Sequence, residues 1–212
     1  MIQICCWLEG ITAILIHRAT EEALSGDTRG NMPGEKQDPR TIAEKAVYRL
    51  PGSGQLAFPG AGVLRMTREA GGAHKARGSR KSLKYVVPAA AIVLDDLCGF
   101  YLRDRKTKVI DFEVDSRPVT IPATKGRVMR HRARINEWTL PVNIRLNETI
   151  LNEATFRTLV SEGAQQIGLG DFRPDKGGPF GTSAIVAWDI VSDAKPKTSA
   201  QKRNGATDAD AV

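Results

Sequence analysis

Apolar and polar positions alternate most regularly over 138–146. Trp138, Leu140, Val142, Ile144 and Leu146 fall on one side and Thr139, Pro141, Asn143 and Arg145 on the other, the period of a half-buried strand. Pro141 has no N–H for a ladder and so argues for an edge or a bulge. The period then becomes helical. Asn152 is an N-cap, Glu153 complements the helix dipole, and Leu151 stands at staple spacing from Phe156. Phe156, Leu159, Val160, Ala164 and Ile167 share one helical face until Gly168 ends it, with Gly163 inside costing about 1 kcal/mol relative to alanine. A closing strand follows over 184–191, centred on Ile185, Val186, Trp188 and Ile190.

Earlier segments read less uniformly. Residues 1–18 are strand-like and end at His17 and Arg18, and 25–40 form a polar insertion rich in turn residues. A short helix is predicted over 41–49, and a second from near Pro59 to Gly71 with Val63, Leu64 and Ala70 on its apolar side. The apolar run 86–94, interrupted by Pro88, reads as a buried strand after a turn or as a short helix. Asp95, Asp96, Asp104, Asp111, Glu113 and Asp115 mark one or two hairpins, and 192–212 reads as a disordered polar tail. Strand and helix segments at both ends predict an α+β fold, a ferredoxin-like or RRM-like βαββαβ core with insertions in one domain over 1–191. Such a sheet covers one face with helices and leaves the other available.

Composition narrows the partners. The 212 residues carry a net charge of +7, which favours acidic partners, nucleic acid above all. Glu9 and Gly10 interrupt the apolar start, and no stretch approaches the roughly 20 apolar residues of a membrane span, so a cytoplasmic protein is expected. Cys5, Cys6 and Cys98 have no metal-ligand spacing and read as buried free thiols.

Three segments carry candidate chemistry. Lys75, Arg77, Arg80, Lys81 and Lys84 form an acid-free basic stretch, either a solvated loop or a phosphate contact. Lys125, Arg127, Arg130, Arg132 and Arg134 form a second, in which the last three recur at period two and share a face of an extended segment. Guanidinium groups in that array match successive phosphates, whereas the structural alternative is an edge strand protected by charge. The third is the glycine-rich loop from Gly168 and Gly170 through Asp171, Phe172, Arg173 and Lys176 to Phe180 and Gly181. It is either flexible or shaped for backbone to approach a ligand. Phe172 and Phe180 are its stacking candidates, while Trp138 and Trp188 read as core. Asp171 with Asp175 is a weak metal pair, and no nucleophile elbow, P-loop or metal motif is present, so no catalytic residue, metal or cofactor is expected.

A resemblance adds to this reading. The Gly10–Arg18 segment, Phe58-Pro59-Gly60 leading into a helix, the Lys/Arg-rich stretch, and the ending from Gly168-Leu169-Gly170-Asp171-Phe172-Arg173-Pro174 to Gly178-Pro179-Phe180-Gly181 resemble a group of uncharacterised phage and prophage proteins. That group is similar to the RAMP superfamily, CRISPR backbone subunits built on a modified RNA-recognition fold. The resemblance implies a subunit that binds single-stranded RNA or DNA and assembles in rows along it, with His17, Arg18, the glycine loop and the basic segments lining the groove. The chain departs from the usual RAMP ending, where a basic residue sits among the last glycines, by having Pro179 and Phe180 there. The expectation is a non-enzymatic single-strand binder. The alternatives are a phage assembly or host-interaction protein that meets an acidic protein, and an endoribonuclease resting on His17 alone.

Overall fold

Two long-range antiparallel pairings organise the chain around its first strand. In the computed structural model the described residues are 1–19, 38–76, 78–120 and 125–191, so most of the 25–40 insertion, Arg77 and the 192–212 tail lie outside them. In chain order the elements are β1 (Ile2–Gly10), β2 (Ile14–Ile16), α1 (Pro39–Lys45), β3 (Tyr48–Arg49), β4 (Leu56–Pro59), α2 (Gly60–Ala70) and α3 (Val87–Ala90). Then come β5 (Ala91–Val93), β6 (Leu97–Gly99), β7 (Glu113–Thr120), β8 (Arg127–Ile135), β9 (Thr139–Leu146), α4 (Glu153–Glu162) and β10 (Ser183–Val191). The run 86–94 thus holds both structures its pattern allowed, a helical turn and a strand.

The main sheet has the order β10-β1-β9-β5, every neighbour antiparallel. With α2 between β1 and β5 and α4 between β9 and β10, this is the 4-1-3-2 order of a βαββαβ core, enlarged by two three-stranded sheets, β2-β8-β7 and β3-β4-β6. The alternation of β1 and β9 sets the inner face. Ile4, Cys6, Leu8, Leu140, Val142, Ile144 and Leu146 are buried against Val63 and Met66 of α2 and Phe156, Leu159 and Val160 of α4. Asn152 caps α4 by accepting from the Thr155 N–H at 2.8 Å. Beyond Glu162 the helix widens into a π turn over Gly163–Ile167 before Gly168 stops it.

Two expectations change. Pro141 sits in an interior strand, not at an edge, paired with Trp7 of β1. Trp138 O faces β1 while Thr139 N bonds Tyr101 O, so the nitrogen of residue 141 points away from β1, into the gap between the Leu94–Asn143 and Tyr101–Thr139 contacts. A missing donor costs nothing there. Cys5 is half-exposed on the outer sheet face, whereas Cys6 and Cys98 are buried thiols.

The outer sheet face is also less open than an RRM-like layout suggests. Trp7 stacks against Tyr101 at 5.7 Å and under Arg105 at 5.9 Å, and Asp95 binds Asn143. Asp189 stands opposite Cys5 in the register, so this surface mixes charges of both signs. The helix-capped core rests on α4. Replacing Asn152 with alanine is expected to cost about 1 kcal/mol, and Phe156→Ala about 3–5 kcal/mol, both read from thermal unfolding.

Candidate functional site

The second sheet makes an arm. In β8 the residues Arg127, Val128, Met129 and Arg130 are all exposed, so both faces of that end of the hairpin meet solvent. From Ser116 to Asn136 the sequence has no acidic residue and carries Arg117, Lys125, Arg127, Arg130, Arg132 and Arg134. Pro118 is tolerated because β7 is the outer strand. β8 is paired with β7 along its length but with β2 only over Ala133–Ile135, so Arg134 lies inside the sheet while Arg127 and Arg130 lie where the other side of β8 is open.

The three period-two arginines share a face yet have three different environments. Arg132 is 4% exposed, and its Nε donates to Asp171 Oδ2 at 2.6 Å. Arg134 is half-buried, donating to Asn136 and lying 5.9 Å over the Phe180 ring. Arg130 is exposed and, among the described residues, has no ion-pair partner. The expected row of phosphate contacts therefore reduces to Arg130, with Arg127 and Lys125 beyond it toward the tip.

The glycine-rich loop is a built wall, neither flexible nor opened for a ligand. Its glycines make room for adjacent backbone: a Cβ on Gly170 would collide with Leu15 O of β2, and one on Gly181 with Leu169 O of the loop itself, both at positive φ. Asp171 N donates to Leu15 O at 2.8 Å, adding the loop to the edge of β2, and Gly181 N donates to Ala13 O at 2.8 Å. Arg173 is turned inward to Gly170 O and Asp175, both at 3.0 Å. Phe180 is 7% exposed, covered by Arg117 at 4.7 Å and paired with Phe172 at 6.1 Å, so it is structural and unavailable for stacking. Phe172 remains half-buried.

Arm and wall enclose a groove of about 330 Å³ lined by His17, Tyr48, Phe58, Arg130, Asp171 and Arg173, with Ile16, Pro59 and Gly170. Of the residues singled out in the sequence, the groove brings together His17, Arg130, Gly170 and Arg173. Arg18 sits beside it, 5.4 Å over the Tyr48 ring. Desolvation, then the charge of Arg130, lowers the His17 pKa below its ordinary value of 6.5, against an opposing pull from Asp171. Burial pushes the Asp171 carboxyl up, but Arg132 outweighs it and the net shift is downward. Asp171 and Asp175 each face an arginine, and among the described residues no group of three His, Cys, Asp or Glu is placed to hold a metal ion.

The first basic stretch stands apart. It forms a tight turn closed by Lys75 and Ser82, at the end of α2 opposite to Gly60, about 16 Å along the helix axis. Lys75, Arg80 and Lys81 are exposed there, while Lys84 binds Glu69 at 2.6 Å. Lys176 meets Asp175 at 3.4 Å. Sequence reasoning missed Tyr48 and Phe58, which reach the groove only through the β3-β4-β6 sheet. It also missed Arg117, which the acid-free run could have flagged.

No protein-family model matches the chain, and no curated protein matches it. Among solved structures it is similar to a chain of a Type IV-B CRISPR Complex, with a TM-score of 0.43 and 12% identity over 96% of this chain and 95% of that one. A likeness of that score carries no argument about function. No helix among the described residues is long and apolar enough to cross a membrane.

Asp171→Ala is expected to leave Arg132 buried and unpaired and to cost about 3 kcal/mol. Because the folded-state carboxyl is depressed, its contribution is present above the ordinary aspartate range and fades as pH falls through the lowered value. Urea unfolding across that range should show the wild type losing stability with acid more steeply than the variant. Gly181→Ala should also destabilise far more than Gly177→Ala, whose Cβ would meet open space.

Proposed function

We propose that this protein is a non-catalytic binder of single-stranded RNA or DNA, with the arm and the groove as its interface. The observation that carries the reading is the acid-free stretch from Ser116 to Asn136 on the arm, where Arg130, without an ion-pair partner among the described residues, overhangs a groove containing His17 and Arg173. Both charges of opposite sign nearby are already neutralised, Asp171 by Arg132 and Asp175 by Arg173. An anion entering the groove therefore meets net positive charge in a partly desolvated setting, where such contacts are strongest. Tyr48 and the half-buried Phe172 offer ring surface to unstacked bases, which every base can use.

Catalysis has less support. Among the described residues His17 has no hydrogen-bond partner that would orient it as a general base, so its role in the proposal is to contact phosphate. Assembly of copies in rows belongs to the same proposal, with exposed Val128 and Met129 on the arm as apolar contact surface. A phage or prophage origin is likewise part of the proposal, supported by the sequence resemblance alone.

The test is a binding series by fluorescence anisotropy. Replacing Lys125, Arg127 and Arg130 together with alanine removes three phosphate contacts, so the slope of log affinity against log salt should fall by about 2. An unchanged slope with an intact fold would sink the proposal and move the search to an acidic protein partner. His17 supplies a second readout. Phosphate beside the imidazole favours its protonated form, so binding takes up a proton and affinity rises as pH falls toward the lowered value of the free protein. His17→Gln should abolish that rise.

A further inference from the structure

A second cleft opens from the groove, between α2 and the glycine-rich wall. It has a volume of about 120 Å³ and is lined by Gly62, Arg65 and Glu69 on one side and by Gly168, Gly170 and Arg173 on the other. Phe58, Gly170 and Arg173 line both spaces, so the cleft continues the groove. At about 10–15 Å³ of accessible space per water this is room for several water molecules, and so for a phosphate group.

The charges in the cleft are arranged for an anion. Arg65 projects from α2, is exposed, and among the described residues has no hydrogen-bond or ion-pair partner. Glu69 is the acid on that wall. Hydrogen bonds from Lys84 at 2.6 Å and Arg68 at 2.7 Å lower its pKa to about 2, so at neutral pH it is one carboxylate held by two cations. Arg173 stands on the facing wall, held by Gly170 O and paired with Asp175, so the unpaired cation of the cleft among the described residues is Arg65. Neither wall yields easily. α2 packs on the core through Val63 and Met66, and the loop is tied to β2 through Asp171.

We infer that this cleft seats one backbone phosphate of a single strand on Arg65. The inference rests on the single-strand reading above and adds a residue and a path to it. The strand crosses the arm at Arg130, lays a base against the half-buried Tyr48 in the wider groove, and passes a phosphate between α2 and the loop. It then leaves toward Lys75, Arg80 and Lys81 beyond the far end of α2.

Arg65 is exposed and unpaired, so Arg65→Ala should unfold at the wild-type temperature. With labelled single-stranded and duplex oligonucleotides over a salt series, the variant's single-strand slope should be smaller by about 0.7, the value of one phosphate. Its weak duplex binding should not change, and Arg65→Lys should restore most of the slope. A wild-type slope in Arg65→Ala, with the arm variant still showing its loss, would overturn the cleft while leaving the single-strand reading standing. Duplex bound as tightly as single strand by the wild type would overturn the single-strand reading. Absence of any salt-sensitive single-strand binding by the wild type would overturn it as well.

Discussion

The ion pair between Arg132 and Asp171 holds the rest of the interface in place. A guanidinium buried in a sheet is tolerated only when a carboxylate meets it, and here that carboxylate comes from the glycine-rich loop. The pair docks the loop on β8 just as the Asp171 N–H joins it to β2, so one residue fixes the loop to two strands. Everything that faces the groove inherits this constraint. Gly170 and Arg173 become a firm wall, His17 is desolvated beside it, and Arg130, two residues along the same strand, is left without an ion-pair partner among the described residues.

That division of labour explains why the site was only partly legible. The alternation in β1 and β9, the Asn152 cap and the Phe156 face are local signals, and the fold follows them because the buried face of each element is written at its own period. The 4-1-3-2 strand order is the arrangement in which those faces meet. Pro141 misled because its direction, not its position in the sheet, decides its cost, and no single-strand pattern reveals which side a nitrogen faces. Arg130, Arg132 and Arg134 were correctly placed on one face. Their fates differ because Asp171 and Phe180 arrive from a loop some 40 residues later, and a tertiary partner of that kind leaves no mark in the local sequence. The glycines likewise announced tight backbone packing without saying that the neighbours are β2 and the loop itself.

The distribution of charge then separates the two faces of the molecule. The outer face of the main sheet, which an RRM-like layout leaves available, mixes Asp95 and Asp189 with Arg105 around a Trp7 packed against Tyr101. Positive charge dominates instead in the insertions: an acid-free stretch of arm over 116–136, a groove whose acids are paired, and a cleft between a helix and the loop. The core is thus a scaffold, and the added sheets position the chemistry.

The central claim concerns where the strand lies, and photo-cross-linking followed by mass spectrometry addresses it most directly. With thio-substituted single-stranded oligonucleotides, the account predicts adducts at Tyr48, Phe172, His17 and Met129 of the arm and groove. Adducts concentrated on Trp7 and Tyr101 of the outer sheet face would contradict it.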